Sequence, residues 1–240
     1  MTLFNPNAYA LHHKRAQKNF QDHRFLFDHV GNELLGRVGD IKKNFGKGLN
    51  VSPYPLVSLE SLQSYHLSET LPFPGKSFDL ILSCLYAHWV NDLPEFLKNI
   101  RHCLRPGGLF LGALWGGNTL FELRESLLQA ELSLKGGASP RIAPMLQTKD
   151  APLLLGRAGF KDPVVDTETL TVTYESLWSL MKDLRGMGET NKLQDRVKTF
   201  TSRSLFEKAE EIYQNSFALS NGKLPATFEV IYLTGWAGLE

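Results

Sequence analysis

The sequence predicts an α/β fold built on a parallel sheet, and three neighbouring features carry that prediction. Phe78 to Leu85 (FDLILSCL) is a near-continuous apolar run, the pattern of a strand buried on both faces. Asp92 follows as a candidate N-cap, with Pro94 two positions on and Glu95 three. Leu93, Phe96, Leu97, Ile100 and Leu104 then recur at helical spacing and give that helix one apolar face. Arg105-Pro106-Gly107-Gly108 stops the helix, and Leu109 to Leu114 is the next apolar run. Strand, helix and strand at this length form a βαβ unit, whose crossover is right-handed.

The remaining elements follow in order. Phe25, Leu26, Val30, Leu34, Leu35 and Val38 set a helical rhythm over 20–38, weakened by Gly31, Gly36 and Gly39. Leu49 to Val51 is a short apolar piece after Gly46-Lys47-Gly48, and Pro53 and Pro55 follow at once. At most one short helix fits after it, around Leu56 to Tyr65. Phe121 to Leu134 reads as a helix ended by Gly136-Gly137, and Thr148 to Ala158 as another, with Gly159 behind it. Thr169 to Tyr174 alternates as a strand. Leu177 to Leu184 and Leu205 to Phe217 are helical, and Asn221-Gly222 turns into a last strand, Thr227 to Leu233.

Composition narrows the classes. Twenty-six basic residues stand against 25 acidic ones, so nothing marks a nucleic-acid or membrane-surface protein. His12-His13, beside Lys14-Arg15, reads as a solvated face. Two cysteines, Cys84 and Cys103, support neither a disulfide framework nor a zinc site, and no metal ligand set is expected. No apolar stretch reaches the ~20 residues of a membrane span.

Several motifs stand in order along the chain: HWVNDLP at 88–94, LRPGGLFLGAL at 104–114, GGNTLFELR at 116–124 and GGASPRIAP at 136–144. LLGRAGF at 154–160, DLRGMGE at 183–189 and PATFEVIYLTGWA at 225–237 follow. With FDLILS before them, they resemble the class I S-adenosylmethionine-dependent methyltransferases. The branch they are similar to is the mitochondrial complex I assembly factor 5 family and its alphaproteobacterial relatives. The resemblance begins near RAQKNFQDHRFLF and covers nearly the whole chain. It implies a single Rossmann-like methyltransferase domain: an N-terminal helical segment 1–45, a core 46–115, a helical lid 116–158, and strands and helices over 159–240 that complete the sheet, one strand antiparallel. It also implies a protein substrate, a complex I subunit, with no nucleic acid. The first 21 residues lack acidic side chains but hold one arginine, and the family's own start falls by Lys14–Phe20. The expectation is a bacterial cytoplasmic chain, or a mature mitochondrial-matrix one.

The chain departs from this family at the cofactor turn. Where the family has D-x-G-x-G-x-G, this sequence has Asn50-Val51-Ser52-Pro53-Tyr54-Pro55, without a glycine. The acidic residue usual before the LPF motif is replaced around Leu67-Ser68. Gly48 to Phe78 spans 30 residues, about the length of one βαβ unit where two are needed. The fold is therefore expected to be reduced in its N-terminal half, lacking at least one strand of the usual seven.

The resemblance implies S-adenosylmethionine at Asn50, Ser52, Leu71, Ser83, Leu85, His88 and Trp89, along the carboxyl edge where open α/β sheets bind ligands. As structure alone, Trp89 would be a core anchor and His88 a satisfied edge histidine. Glu122 and Arg124 beside the Gly116-Gly117 loop, Arg141 in a Pro-flanked loop, and Met187 and Glu189 around GMG are the candidates for substrate or partner. Together they are expected to line one cavity. As structure alone, they would be surface pairs and a Schellman-type helix end. Two functions follow: a methyltransferase-type enzyme modifying a protein side chain, with arginine hydroxylation kept open, or a non-catalytic assembly factor that has lost its cofactor. No catalytic residue is assigned.

Overall fold

The computed structural model describes residues 2–54, 62–64 and 71–239. In chain order its elements are α1 (Pro6–Ala16), α2 (Phe25–Asp40), β1 (Gly48–Asn50), β2 (Leu62–Ser64), β3 (Phe78–Cys84), α3 (Leu93–Cys103) and β4 (Leu104–Trp115). Then come α4 (Phe121–Lys135), α5 (Ala151–Arg157), β5 (Phe160–Tyr174), α6 (Leu177–Gly186), α7 (Arg203–Phe217) and β6 (Leu224–Ala237). They gather into two compact units. The first comprises residues up to Arg24, Asn118–Met145 and Thr169–Glu229; the second comprises Phe25–Gly117, Leu146–Glu168 and the chain from Val230.

The sheet runs in the order β2-β1-β3-β4-β6-β5. β1 pairs in parallel with both β2 and β3, β3 pairs in parallel with β4, and β6 lies antiparallel to β4 from Leu109↔Trp236 to Trp115↔Val230. The apolar run of β3 is buried as its pattern predicts, with Phe78, Ile81 and Leu82 sealed from solvent. Asp92 caps α3, its carboxylate accepting the Glu95 N–H at 2.9 Å, and the helix buries Phe96, Leu97 and Ile100. Arg105–Gly108 does end α3, but it also lies inside β4. Phe78 pairs with Leu104 and Leu80 with Leu109, so four residues of β4 face one of β3 in a bulge where Gly107 takes φ +71°.

Six strands stand among the described residues, against the seven usual for the resemblance. The short helix expected around Leu56 to Tyr65 lies mostly outside the described residues, and where the two overlap it is corrected. Leu62–Ser64 is an edge strand in register with β1, Gly48 opposite Leu62. A methyl group at Gly48 would sit 2.2 Å from Leu62 Cδ2, so a larger residue there would have to turn the Leu62 side chain aside. Residues 51–61 and 65–77 connect the first three strands, near the dozen residues at which a parallel crossover becomes feasible.

In the first unit α4 and α7 pack on each other, and each buries one face: Leu123, Leu127 and Ala130 on α4, and Leu205, Ala209 and Tyr213 on α7. The end of α6 is a Schellman turn. Glu189 N–H reaches Leu184 C=O (2.7 Å) and Gly188 N–H reaches Arg185 C=O (3.2 Å), with Gly188 at φ +77° and Met187 packed inside.

Candidate functional site

The cofactor candidates all fall in the second unit, and all but Leu71 lie at or just beyond the carboxyl ends of parallel strands. Asn50 closes β1 and Ser83 lies one residue before the end of β3, both buried. Ser52 joins the two ends: its hydroxyl donates to Asn50 Oδ1 at 2.6 Å and accepts the Cys84 N–H at 2.8 Å. Val51 N–H is held by Leu82 C=O at 2.8 Å, and Tyr54 packs edge-on against Phe27 with ring centroids 5.3 Å apart. Leu85, fully buried, leaves the strand at φ +50° and donates its N–H to Ala113 C=O. A non-glycine residue in that region costs about 1–3 kcal/mol, and such strain clusters where a ligand is shaped. His88 and Trp89 form a 3-10 turn just beyond, their rings 5.1 Å apart, with Trp115 6.1 Å from His88. Leu71 is buried. The Ser83 hydroxyl is buried without a hydrogen-bond partner among the described residues. Burial pushes the neighbouring Cys84 thiol far up, which makes it a core residue.

The five substrate or partner candidates all fall in the first unit, and three of their four charged side chains meet different neighbours. Glu122 is buried on α4; Thr227 of β6 donates its hydroxyl to one carboxylate oxygen and its N–H to the other. Arg141 donates to the buried Glu131 at 2.6 Å and to Thr201 at 3.2 Å. Glu189 lies 3.5 Å from Lys192 Nζ. Met187 is buried, and Arg124 is exposed on α4. Glu122→Ala is therefore expected to lower stability by roughly 1–3 kcal/mol, because it leaves the Thr227 N–H and hydroxyl without their acceptor. Urea denaturation checks it, and an unchanged midpoint would mean the carboxylate does not hold β6.

Sequence reasoning missed Glu131 and Lys192. Both are buried charges, and neither shows a local signal beyond its residue type. It also took His12 for solvated surface. The structure half-buries that ring, with Nδ1 2.8 Å from Thr190 Oγ1.

A family model described as a methyltransferase domain matches residues 50–112. The chain is 39% identical over 214 residues to the human protein named arginine-hydroxylase NDUFAF5, mitochondrial, covering 88% of this chain and 60% of that protein. The zebrafish protein of the same name is 35% identical over 266 positions, covering 96% of this chain and 83% of the relative. Since 266 positions exceed the 240 residues of the chain, that relative carries stretches with no counterpart here. A malonyl-[acyl-carrier protein] O-methyltransferase from Xylella fastidiosa is 41% identical over 176 residues, covering 72% of this chain and 56% of the enzyme. Among solved structures, YcgJ from Bacillus subtilis superposes with a TM-score of 0.54 at 14% identity, over 88% of this chain and 99% of that one, a likeness of fold. The chain thus spans about three fifths of the human relative and most of the zebrafish one, and it belongs to the NDUFAF5 family, on an α/β fold of the methyltransferase type.

Proposed function

We propose that this chain is an S-adenosylmethionine-dependent, methyltransferase-type protein that modifies an arginine side chain of a protein partner in complex I assembly. One observation carries the reading: the carboxyl ends of β1 and β3 bring Asn50, Ser52, Ser83 and a strained Leu85 to one edge, ahead of His88 and Trp89. The residues fit the cofactor in part. The Ser83 hydroxyl is buried without a hydrogen-bond partner among the described residues, and Asn50 is a second buried polar side chain at the neighbouring strand end. Asn50 and Ser83 would hold the ligand's polar groups, with Ser52 fixing the Asn50 amide and Leu71, Leu85, His88 and Trp89 walling the site. S-adenosylmethionine supplies an electrophilic methyl group when bound; the chain's part is to align an acceptor and exclude water. The arginine acceptor rests on the relatives' name, arginine-hydroxylase, which also keeps hydroxylation in view. Arg124, exposed on α4, is the partner candidate best placed to meet another protein; Arg141, Glu122, Met187 and Glu189 shape the elements behind it. The same relatives are named mitochondrial, which favours a matrix setting for a eukaryotic chain. No helix of the described residues is long and apolar enough to cross a membrane.

A second reading, a partner-binding assembly factor without catalysis, is favoured by Ser52. Its hydrogen bonds to Asn50 and Cys84 fill the turn where the resemblance expects bare backbone. Calorimetric titration with S-adenosylmethionine separates the two. A saturable heat that Ser83→Ala weakens supports the enzyme; no heat at millimolar ligand, with the protein folded, supports the binding factor.

A further inference from the structure

We propose that the first unit contains a small-oxyanion site, a cavity of about 120 Å³ lined by His12, Arg15, Arg185 and Thr190, which takes a phosphate or carboxylate group. His12 and Arg15 are three residues apart on α1 and share a face. Arg185 comes from the last turn of α6, and Thr190 follows the Schellman turn. Two guanidiniums, an imidazole and a hydroxyl therefore line one concavity, and no carboxylate of the described residues lines it. At ~30 Å³ per water, the space equals about four waters, the size of an oxyanion headgroup and well below that of a nucleotide.

The charges around it point the same way. Like Arg101, Arg157 and Arg196, Arg15 and Arg185 form no ion pair among the described residues, so no carboxylate there offsets the two charges that line this concavity. Lys192 is buried nearby with Glu189 at 3.5 Å and the Tyr9 ring beneath its ammonium at 5.1 Å. The acid on α6, Asp183, is taken by His23 at 2.6 Å. Burial, then the positive charges of Lys192, Arg15 and Arg196, hold His12 down to about 4. The cavity thus lies in a positive field that an anion would relieve. Arg15 and Arg185 also suit the negative ends of their helices. That accounts for a cation at each end, but not for both facing one cavity with a histidine and a hydroxyl between them. Planar guanidiniums suit bidentate contact with an oxyanion.

The test titrates inorganic phosphate, and acetate in a second arm, into the full chain at constant ionic strength, read by calorimetry. Saturable phosphate binding is expected, weakened at least tenfold in the Arg15→Gln, Arg185→Gln double variant. Both arginines are exposed, so the unliganded melting temperature should hold; if the double variant unfolds, Arg185→Gln alone serves. Saturation by acetate as well identifies a carboxylate-bearing ligand; saturation by phosphate alone identifies a phosphorylated one. Saturation by neither, or unchanged phosphate affinity in the folded variant, overturns the site.

Discussion

Arg141→Ala is expected to destabilise the protein by about 3 kcal/mol, at the lower end of the range for breaking a buried ion pair. The reason lies with the partner left behind. Glu131 is 1% exposed on α4 and accepts the Arg141 guanidinium at 2.6 Å, the Ser139 N–H at 2.7 Å and the Ser139 hydroxyl at 3.1 Å. Removing the guanidinium leaves a buried carboxylate with the Ser139 donors and Lys135 at 3.9 Å, a lysine half in solvent. Those remaining contacts keep the loss from the upper end of the range. Urea denaturation at neutral pH measures it, and a midpoint within error of the parent would mean the pair adds nothing net.

The pH dependence of that difference follows from Glu131. Burial pushes its carboxyl up, but the hydrogen bonds from Arg141 and Ser139 outweigh burial and hold it below the ordinary 4.5. A carboxylate depressed in the folded state contributes stability that is present above its unfolded value and is lost as pH falls through its folded value. In Arg141→Ala, burial dominates, so Glu131 takes up a proton at a higher pH and the variant sheds its unpaired charge. The gap between parent and variant should therefore be widest near neutrality, begin to narrow as pH falls through the variant's raised Glu131 value, above the ordinary 4.5, and close as pH falls through the parent's depressed one.

What could be read from residues alone depended on how local the signal was. β3, α3 and β4 were legible because strand burial, a capping Asp92 and a glycine stop all lie within forty residues. α1 lies in the 1–45 segment that the resemblance makes helical, but its own bounds went unread although Asn5 and Pro6 mark its start; Asn5 accepts the Ala8 N–H there. β2 was hidden because a three-residue edge strand shows no alternation, and the first half of β5 because its side chains are mostly exposed. At the candidate site, position along the strands was readable and partnership was not. Ser52 meets Cys84 across 32 residues and Glu122 meets Thr227 across 105. The sequence shows a charge at Glu122 and Arg141, and only the fold shows that each is already engaged.

S-adenosylmethionine is expected to bind about a hundred-fold or more weakly here than to a glycine-turn methyltransferase measured beside it. The turn after β1 has little left to give. Val51 N–H is held by Leu82, Pro53 has no N–H, and the Ser52 hydroxyl is engaged on both sides. The ribose end loses more. The resemblance implies a ribose-binding acidic residue at the end of the second strand, whereas β2, Leu62–Ser64, carries no carboxylate. A hydrogen bond to a charged group contributes roughly 1.5–3 kcal/mol, so losing one such carboxylate with two hydroxyl partners removes about 3 kcal/mol or more. At 1.4 kcal/mol per factor of ten, that is at least two powers of ten. Ser52→Gly should not restore the affinity. It bares the backbone, but it leaves the buried Cys84 N–H without its acceptor and supplies no ribose carboxylate. Calorimetry on the parent, Ser52→Gly and the glycine-turn control decides the matter. Affinity within tenfold of the control would mean that the strand-end groups Asn50 and Ser83 replace the missing turn, and recovery in Ser52→Gly would make the turn, rather than the ribose contact, the limiting loss.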